Sequence, residues 1–251
     1  MLSFSLIKPR LNKIPSITRL GGLSSRMYHS IQHENNLGFD QSNIQYKILN
    51  KAIEEYLPTY GFNEISILES SRSLGYNDSI IAIFNDSKSL LQFYLKKQRL
   101  KLLSISESLE FQSLQTEIDK IKYLVHKRLE LNEPYIKHIN QLQSNLLLWE
   151  NLESSFEELH QLSDDILFYS GDKSNDFDWY LKRANLSKDY VILETFMSQD
   201  KSENFNKTWA LLDKKFNSED SWGQAFDNTA EFLKFNAIST WNLIKSQASR
   251  G

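Results

Sequence analysis

Helix breakers are scarce in this chain: four prolines (Pro9, Pro15, Pro58, Pro134) and eight glycines punctuate 251 residues, and two of each fall before residue 30. The residues that most disfavour helix interiors are therefore the ones it largely lacks, and the remainder must be built from long helices. No run of β-branched residues alternates between turn signals as a strand requires, whereas apolar residues recur at steps of three and four throughout. An all-α fold is the expectation. With 40% hydrophobic residues the chain can bury the core of one domain. The absence of cysteine removes disulfides, thiolate metal sites and thiol catalysis together. Apolar runs such as Leu146 to Trp149 fall far short of the ~20 residues a membrane-spanning helix needs, so membrane contact would have to be peripheral.

Charge is distributed unevenly. Residues 1–33 hold Lys8, Arg10, Lys13, Arg19 and Arg26 with several serines and no acid, while all 32 acidic residues lie at Glu34 or beyond. That asymmetry marks a mitochondrial presequence, and Arg26 two residues before Tyr28 in "SSRMYHS" predicts a mature start near His29. Without the leader, 24 basic residues face 32 acidic ones, a formal charge of −8. Such a balance opposes general nucleic-acid binding.

From Ser42 a first helix carries Ile44, Ile48, Ala52, Ile53 and Tyr56 on one face and is expected to stop at Pro58 and Gly61. Asn63 can cap a second helix bearing Ile65, Ile67 and Leu68, Gly75 turns the chain, and Asn77 or Asp78 starts a third. With "YGF" after the first helix and Phe84 ahead of a polar break, this segment resembles the amino-terminal helix-turn-helix of TetR-type regulators. The third helix lacks the chemistry of a DNA-reading head. Between Arg72 and Lys88 there is no basic residue but there are two acids, Asp78 and Asp86, and Ile80, Ile81, Ile83 and Phe84 cover more than one face. The motif is expected to mark the fold without binding nucleic acid.

A long helix is expected from Ser106 over "SESLEFQSLQTEIDKIKYLVHKRLELN", with Leu109, Leu114, Ile118, Ile121, Leu124 and Val125 inward. Another runs from about Glu153 to Tyr169 with Phe156, Leu159, Leu162 and Ile166 inward, ended by Gly171. The next, Asp176 to about Met197, has two opposed apolar stripes: Phe177, Tyr180, Leu181, Ala184, Val191 and Thr195 on one side, Trp179, Leu186, Tyr190, Leu193 and Met197 on the other. A surface helix of a monomer needs one stripe, so the second predicts a further core contact, a homodimer seam or a partner.

The segments "DDILFYSGDKSNDFDWYLKRANL", "TFMSQD" and "TWALLDKKF" are similar to those of the coenzyme Q protein nine family of mitochondrial ubiquinone-biosynthesis proteins. The resemblance is strong from Asp164 to about Phe216 and recognisable from Asn43 to Leu91. It implies a non-catalytic subunit on the matrix face of the inner membrane that binds isoprenoid quinone or phospholipid. Such a subunit would present quinone precursors to the di-iron demethoxyubiquinone hydroxylase, among other ubiquinone biosynthesis proteins. The family's hydroxylase-binding patch falls on Ile166, Trp179 and Tyr180; Ile166 stands where the family often has Met, and Phe168 where it has His. On that reading Trp179→Lys removes hydroxylase binding and leaves the fold intact.

After a polar linker at 217–221, residues 222–247 form an amphipathic pattern with Trp222, Phe226, Leu233, Ala237, Trp241 and Ile244 among its apolar positions. Aromatic residues on the apolar side suit an interfacial helix, and the same pattern suits a terminal helix in a dimer interface. In the resembled family this position holds the membrane-binding helix.

Catalytic signals are weak. Glu157-Glu158-Leu159-His160 supplies one Glu-x-x-His, but a di-iron bundle needs a second copy, and His126 and His138 each have Tyr three residues earlier. Neither a glycine-rich phosphate loop nor a nucleophile motif is present. No metal, no cofactor and no enzyme activity are expected. The whole reads as an all-α, TetR-like homodimer with a deep apolar cavity between its central helices for an isoprenoid lipid, its lining residues not identifiable from periodicity.

Overall fold

The computed structural model describes residues 39–84, 86–174 and 176–217. The expected presequence, all but the first residue of the expected 217–221 linker, and the expected amphipathic segment with Trp222, Phe226, Leu233, Ala237, Trp241 and Ile244 lie outside the described residues. Those described form helices and turns, with no strand among them.

Helix α1, Ile44–Lys51, starts at Asn43, whose side chain accepts from the Gln45 backbone N–H. Pro58 does not stop it, contrary to expectation. The chain passes through a π-turn, Ala52–Tyr56, into α2, Leu57–Tyr60, and Leu57 N–H bonds the Ala52 carbonyl five residues back. This wider turn loosens the backbone just where the proline ring and its missing N–H would disrupt an α-helix. Gly61, at φ +77°, ends the run. A Cβ there would collide with Oε1 of Gln141, an atom that accepts from Phe62 N–H at 3.1 Å while Gln141 Nε2 donates to the Phe62 carbonyl.

Helix α3, Glu64–Ser73, is capped by Asn63 as the sequence predicts. The third element is a 3-10 helix, Asp78–Ile83, capped by Asn77, with no buried residue. Helices α4, Asp86–Ser106, and α5, Leu109–Ser113, follow, then α6, Glu117–Glu130. The single helix expected from Ser106 is therefore broken. Leu114 is extended, and Thr116 restarts the chain by accepting from Asp119 N–H. Leu109, assigned inward, is 89% exposed because it precedes that break.

Helices α7, Ile136–Leu146, α8, Trp149–Ser170, α9, Asp176–Gln199, and α10, Asn206–Asn217, complete the described chain. One core gathers Ile48, Ile53, Leu57, Phe62 and Ile67 against Leu90, Leu91 and Tyr94 of α4 and Ile139 and Leu142 of α7. The other joins Leu124, Val125 and Leu129 of α6 to Leu162 and Ile166 of α8 and Leu186, Tyr190 and Leu193 of α9, with Leu102 of α4. Because α4 contributes to both cores, it ties the helix-turn-helix to the bundle. Phe156, assigned inward, is 63% exposed near the start of α8.

The turn from α9 to α10 explains two of the sequence markers. Asp200, of "SQD", accepts from the backbone and hydroxyl of Ser202 with one oxygen and from those of Thr208 with the other. Trp209 Nε1 donates to the Asn204 carbonyl at 2.9 Å, across a turn in which Asn204 and Phe205 both have positive φ. Burial would raise the Asp200 pKa, but the bonds from Thr208 and Ser202 outweigh it and hold it at about 2. "SQD" and "TW" are thus two halves of one cap.

The space between the central helices is not the apolar cavity that was expected. Arg128, fully buried, donates to Asn132 Oδ1 at 2.8 Å; Tyr94 shares that acceptor, and Asn132 and Tyr190 donate to Glu194 at 3.0 and 2.9 Å. Side chains of α4, α6 and α9 fill this centre with a hydrogen-bonded polar layer.

Candidate functional site

The corner between α8 and α9 carries the residues the sequence singled out. Gly171, at φ +91°, closes α8 in the left-handed conformation, and its N–H bonds the Phe168 carbonyl at 3.0 Å. This puts Asp172 back against the helices with its carboxylate fully buried. Asp172 accepts from Ser174, from Lys182 Nζ at 2.7 Å and from Arg183 Nη1 at 3.1 Å. Burial alone would raise its pKa; the hydrogen bonds from Lys182 and Ser174 hold it below the usual carboxylate range. Arg183 also donates to Asp164 at 2.7 Å, and Lys182 to Glu117 of α6 at 3.0 Å. The result is a continuous charge network from α6 through α9 to α8.

Trp179 sits inside this network. Its ring lies 3.8 Å from the Arg183 guanidinium and meets His160 edge-on at 5.7 Å. It is 2% exposed, and Ile166 is fully buried in the bundle core. The assignment of Ile166 and Trp179 to a surface patch is therefore corrected: a partner approaching this corner meets Tyr180, 47% exposed, and not the indole. The physical reason is the electrostatic cage, which needs an aromatic face beneath the guanidinium. Acid and base residues spaced along "DDILFYSGD" and "WYLKR" held that signal, but periodicity weighs only apolar positions.

Of the two stripes of α9, Trp179, Leu186, Tyr190, Leu193 and Met197 are buried; in the other, Tyr180, Ala184 and Val191 face outward with Ile192 and Phe196 beside them, Leu181 and Thr195 are half-buried, and the Phe177 side chain lies outside the described residues. That outer face is the apolar surface the opposed stripes predicted.

The Glu-x-x-His segment is otherwise engaged. Its Glu157 accepts from Gln161 Nε2 at 3.4 Å, and its His160 packs on Trp179. Among the described residues, no three His, Asp or Glu side chains converge as a metal site, and no helix is long and apolar enough to cross a membrane. At the helix-turn-helix, Arg72 is held by both oxygens of Asp78, at 2.8 and 2.7 Å, and by Glu69 at 2.8 Å. Its charge is paired with acids of the motif itself.

Comparison with known proteins agrees with this architecture. A TetR transcriptional regulator from Nitrosomonas europaea superposes with a TM-score of 0.56 at 18% identity, over 69% of this chain and 95% of that one. The COQ9 family model matches residues 152–223. The Saccharomyces cerevisiae "Ubiquinone biosynthesis protein COQ9, mitochondrial" is 34% identical over 93% of this chain and 97% of its own length. Its Schizosaccharomyces pombe counterpart is 30% identical over 94% and 93%. The human protein of that name is 31% identical over 83% of this chain, which spans 64% of the human one. A TetR-like helical fold aligned nearly end to end with the yeast proteins means that this chain belongs to the COQ9 family.

Proposed function

We propose that this protein is a non-catalytic accessory subunit of mitochondrial ubiquinone biosynthesis. It acts as a homodimer at the matrix side of the inner membrane, binds isoprenoid quinone or phospholipid, and presents quinone precursors to the demethoxyubiquinone hydroxylase. The observation that carries the reading is the alignment with the yeast COQ9 protein over 93% of the chain. Two features support it: a helix-turn-helix whose basic residue Arg72 is consumed by its own acids, and an outward apolar face on α9 suited to a second protein surface. The aromatic pattern of residues 222–247 supports the membrane contact.

Expression in a yeast strain lacking its own COQ9 protein should restore ubiquinone content; a strain that remains deficient, with the protein present in its mitochondria, would sink the reading. Docking is tested separately. Tyr180→Lys should lose hydroxylase co-purification while lowering the melting temperature by at most a few degrees, because the side chain is half exposed and touches the Arg183 cage only through its edge-on contact with Trp179. Undiminished co-purification would move the docking surface elsewhere.

A further inference from the structure

Helix α8 begins on apolar residues that point away from both cores. Leu148 stands at its N-cap, where a polar side chain ordinarily satisfies the first N–H groups, and makes no side-chain cap bond. Leu147, Leu148 and Phe156 are exposed, and Trp149 is 73% exposed. The turn that presents them is held from behind. Asn151 Nδ2 donates to the Asn145 carbonyl at 2.9 Å, and Ser155 Oγ to the Leu146 carbonyl at 3.0 Å. The outward leucines and tryptophan are thus carried on a fixed frame, with Phe156 two turns further along the same side of the helix.

Acids run beside this apolar strip. At 100° per residue Glu153, Glu157 and Glu150 follow the line of Phe156 and Trp149 around α8 in that order, all five within about a third of the circumference. The three carboxylates are exposed. Nearby cations are engaged elsewhere: Arg99 holds Glu158 and Asp165, and Lys88 donates to the backbone carbonyl of Glu150. Among the described residues none of the three forms an ion pair, and Glu157 takes only a bond of 3.4 Å from Gln161. An exposed apolar strip with one sign of charge along its edge is complementary to a surface that has the same strip and the opposite charge.

We propose that the turn between α7 and α8 and the first half of α8 dock an amphipathic helix of a basic partner protein, its apolar stripe on Trp149 and Phe156 and its lysines or arginines against Glu153, Glu157 and Glu150. Helices are recognised in this way wherever an apolar face meets a groove or strip of matching spacing. Phe156 lies about 22 Å along α8 from the Gly171 corner at the usual helical rise, so this surface is separate from the one at Tyr180 and does not depend on the function proposed above. Failure to restore ubiquinone would leave it standing, and failure of this docking would leave that function standing.

The test is an amide NMR titration of the full chain with a model helix of about 14 residues, leucine on one face and lysine on the other, and with its counterpart carrying glutamate in place of lysine. The lysine helix should cause saturable shifts at Leu148, Trp149 and Phe156 and bind at least about tenfold tighter than the glutamate helix, a ratio within reach of three exposed ion pairs. Glu153→Lys with Glu157→Lys should reverse the preference, and Trp149→Ser with Phe156→Ser should abolish saturable binding of either helix. All four side chains are exposed, so both double variants should fold. Equal affinity for the two helices overturns the proposal, and so does the absence of saturable binding. Lysine-helix binding that survives the loss of Trp149 and Phe156 also overturns it, because it reports attraction to the chain's net negative charge alone. A native mass spectrum in which the Trp149 and Phe156 double variant turns from dimer to monomer overturns it as well, and gives the face to a second copy of this chain. If a variant fails to fold, the two affinities and the shift map of the unaltered protein decide.

Discussion

Trp179→Ala is expected to lower the unfolding free energy by about 3–5 kcal/mol, the usual cost of emptying a core aromatic site, while Tyr180→Ala should cost about 0.5–1.5 kcal/mol, the worth of its edge-on contact with the Trp179 ring at 4.8 Å. The neighbours differ because Trp179 is 2% exposed and Tyr180 47%. Truncating the tryptophan opens a cavity and strips the Arg183 guanidinium of the aromatic face 3.8 Å away. Arg183 would remain bonded to Asp164 and Asp172, so the network would loosen without leaving an unpaired charge. Urea unfolding of both variants measures this directly. A Trp179 variant as stable as the parent would contradict the packing described. The same result bears on partner binding, since a loss of hydroxylase co-purification on altering Trp179 would report unfolding and not a lost contact.

Arg99→Ala should be comparably severe, about 3–5 kcal/mol, because removing one partner of a buried ion pair leaves the other charge uncompensated. Arg99 and Asp165 are each 2% exposed at the side chain and Glu158 is 18% exposed, with contacts of 2.6 and 2.8 Å. Burial raises the Glu158 pKa even in the intact protein, and the hydrogen bond and charge of Arg99 offset that rise. Without Arg99 the rise grows. A carboxylate whose folded pKa lies above its unfolded value is stabilising below the unfolded value and loses that contribution as pH rises through the folded one. The variant's deficit should therefore narrow as pH falls from 8 towards ~4.5, the ordinary Glu range. Thermal melts across that range check it, and a pH-independent deficit would show that Glu158 has found another cation.

The fold was legible because its signals are local. Asn63 and Asn77 cap where they stand, and Gly171 ends α8. Errors arose where one local signal met a competing one. Pro58 was overruled by a π-turn that only tertiary packing reveals, and the Ser106 helix broke at Leu114 although its apolar spacing continued. At the site, periodicity marks the inner stripe of α9 as apolar but does not say that Trp179 belongs to the core and not to the surface. Its burial depends on Arg183, Asp172 and Asp164, which come together only once α8 and α9 fold back on each other. The polar layer around Arg128 escaped for the same reason, since Tyr94, Asn132 and Glu194 are distant in the chain and meet only in the bundle.

The π-turn at Ala52–Tyr56 also sets the phase of everything before it. A turn closed by an i→i+5 bond holds one residue more than the geometry of an α-helix requires. Winding the same residues as a regular α-helix would rotate Ile48 and Leu49 by about 100° relative to Leu57. Residues now buried in the first core would swing toward its edge. The wide turn thus absorbs one residue while keeping Ile48 and Leu49 toward the core, and deleting a residue from Ala52–Tyr56 should be better tolerated than inserting one.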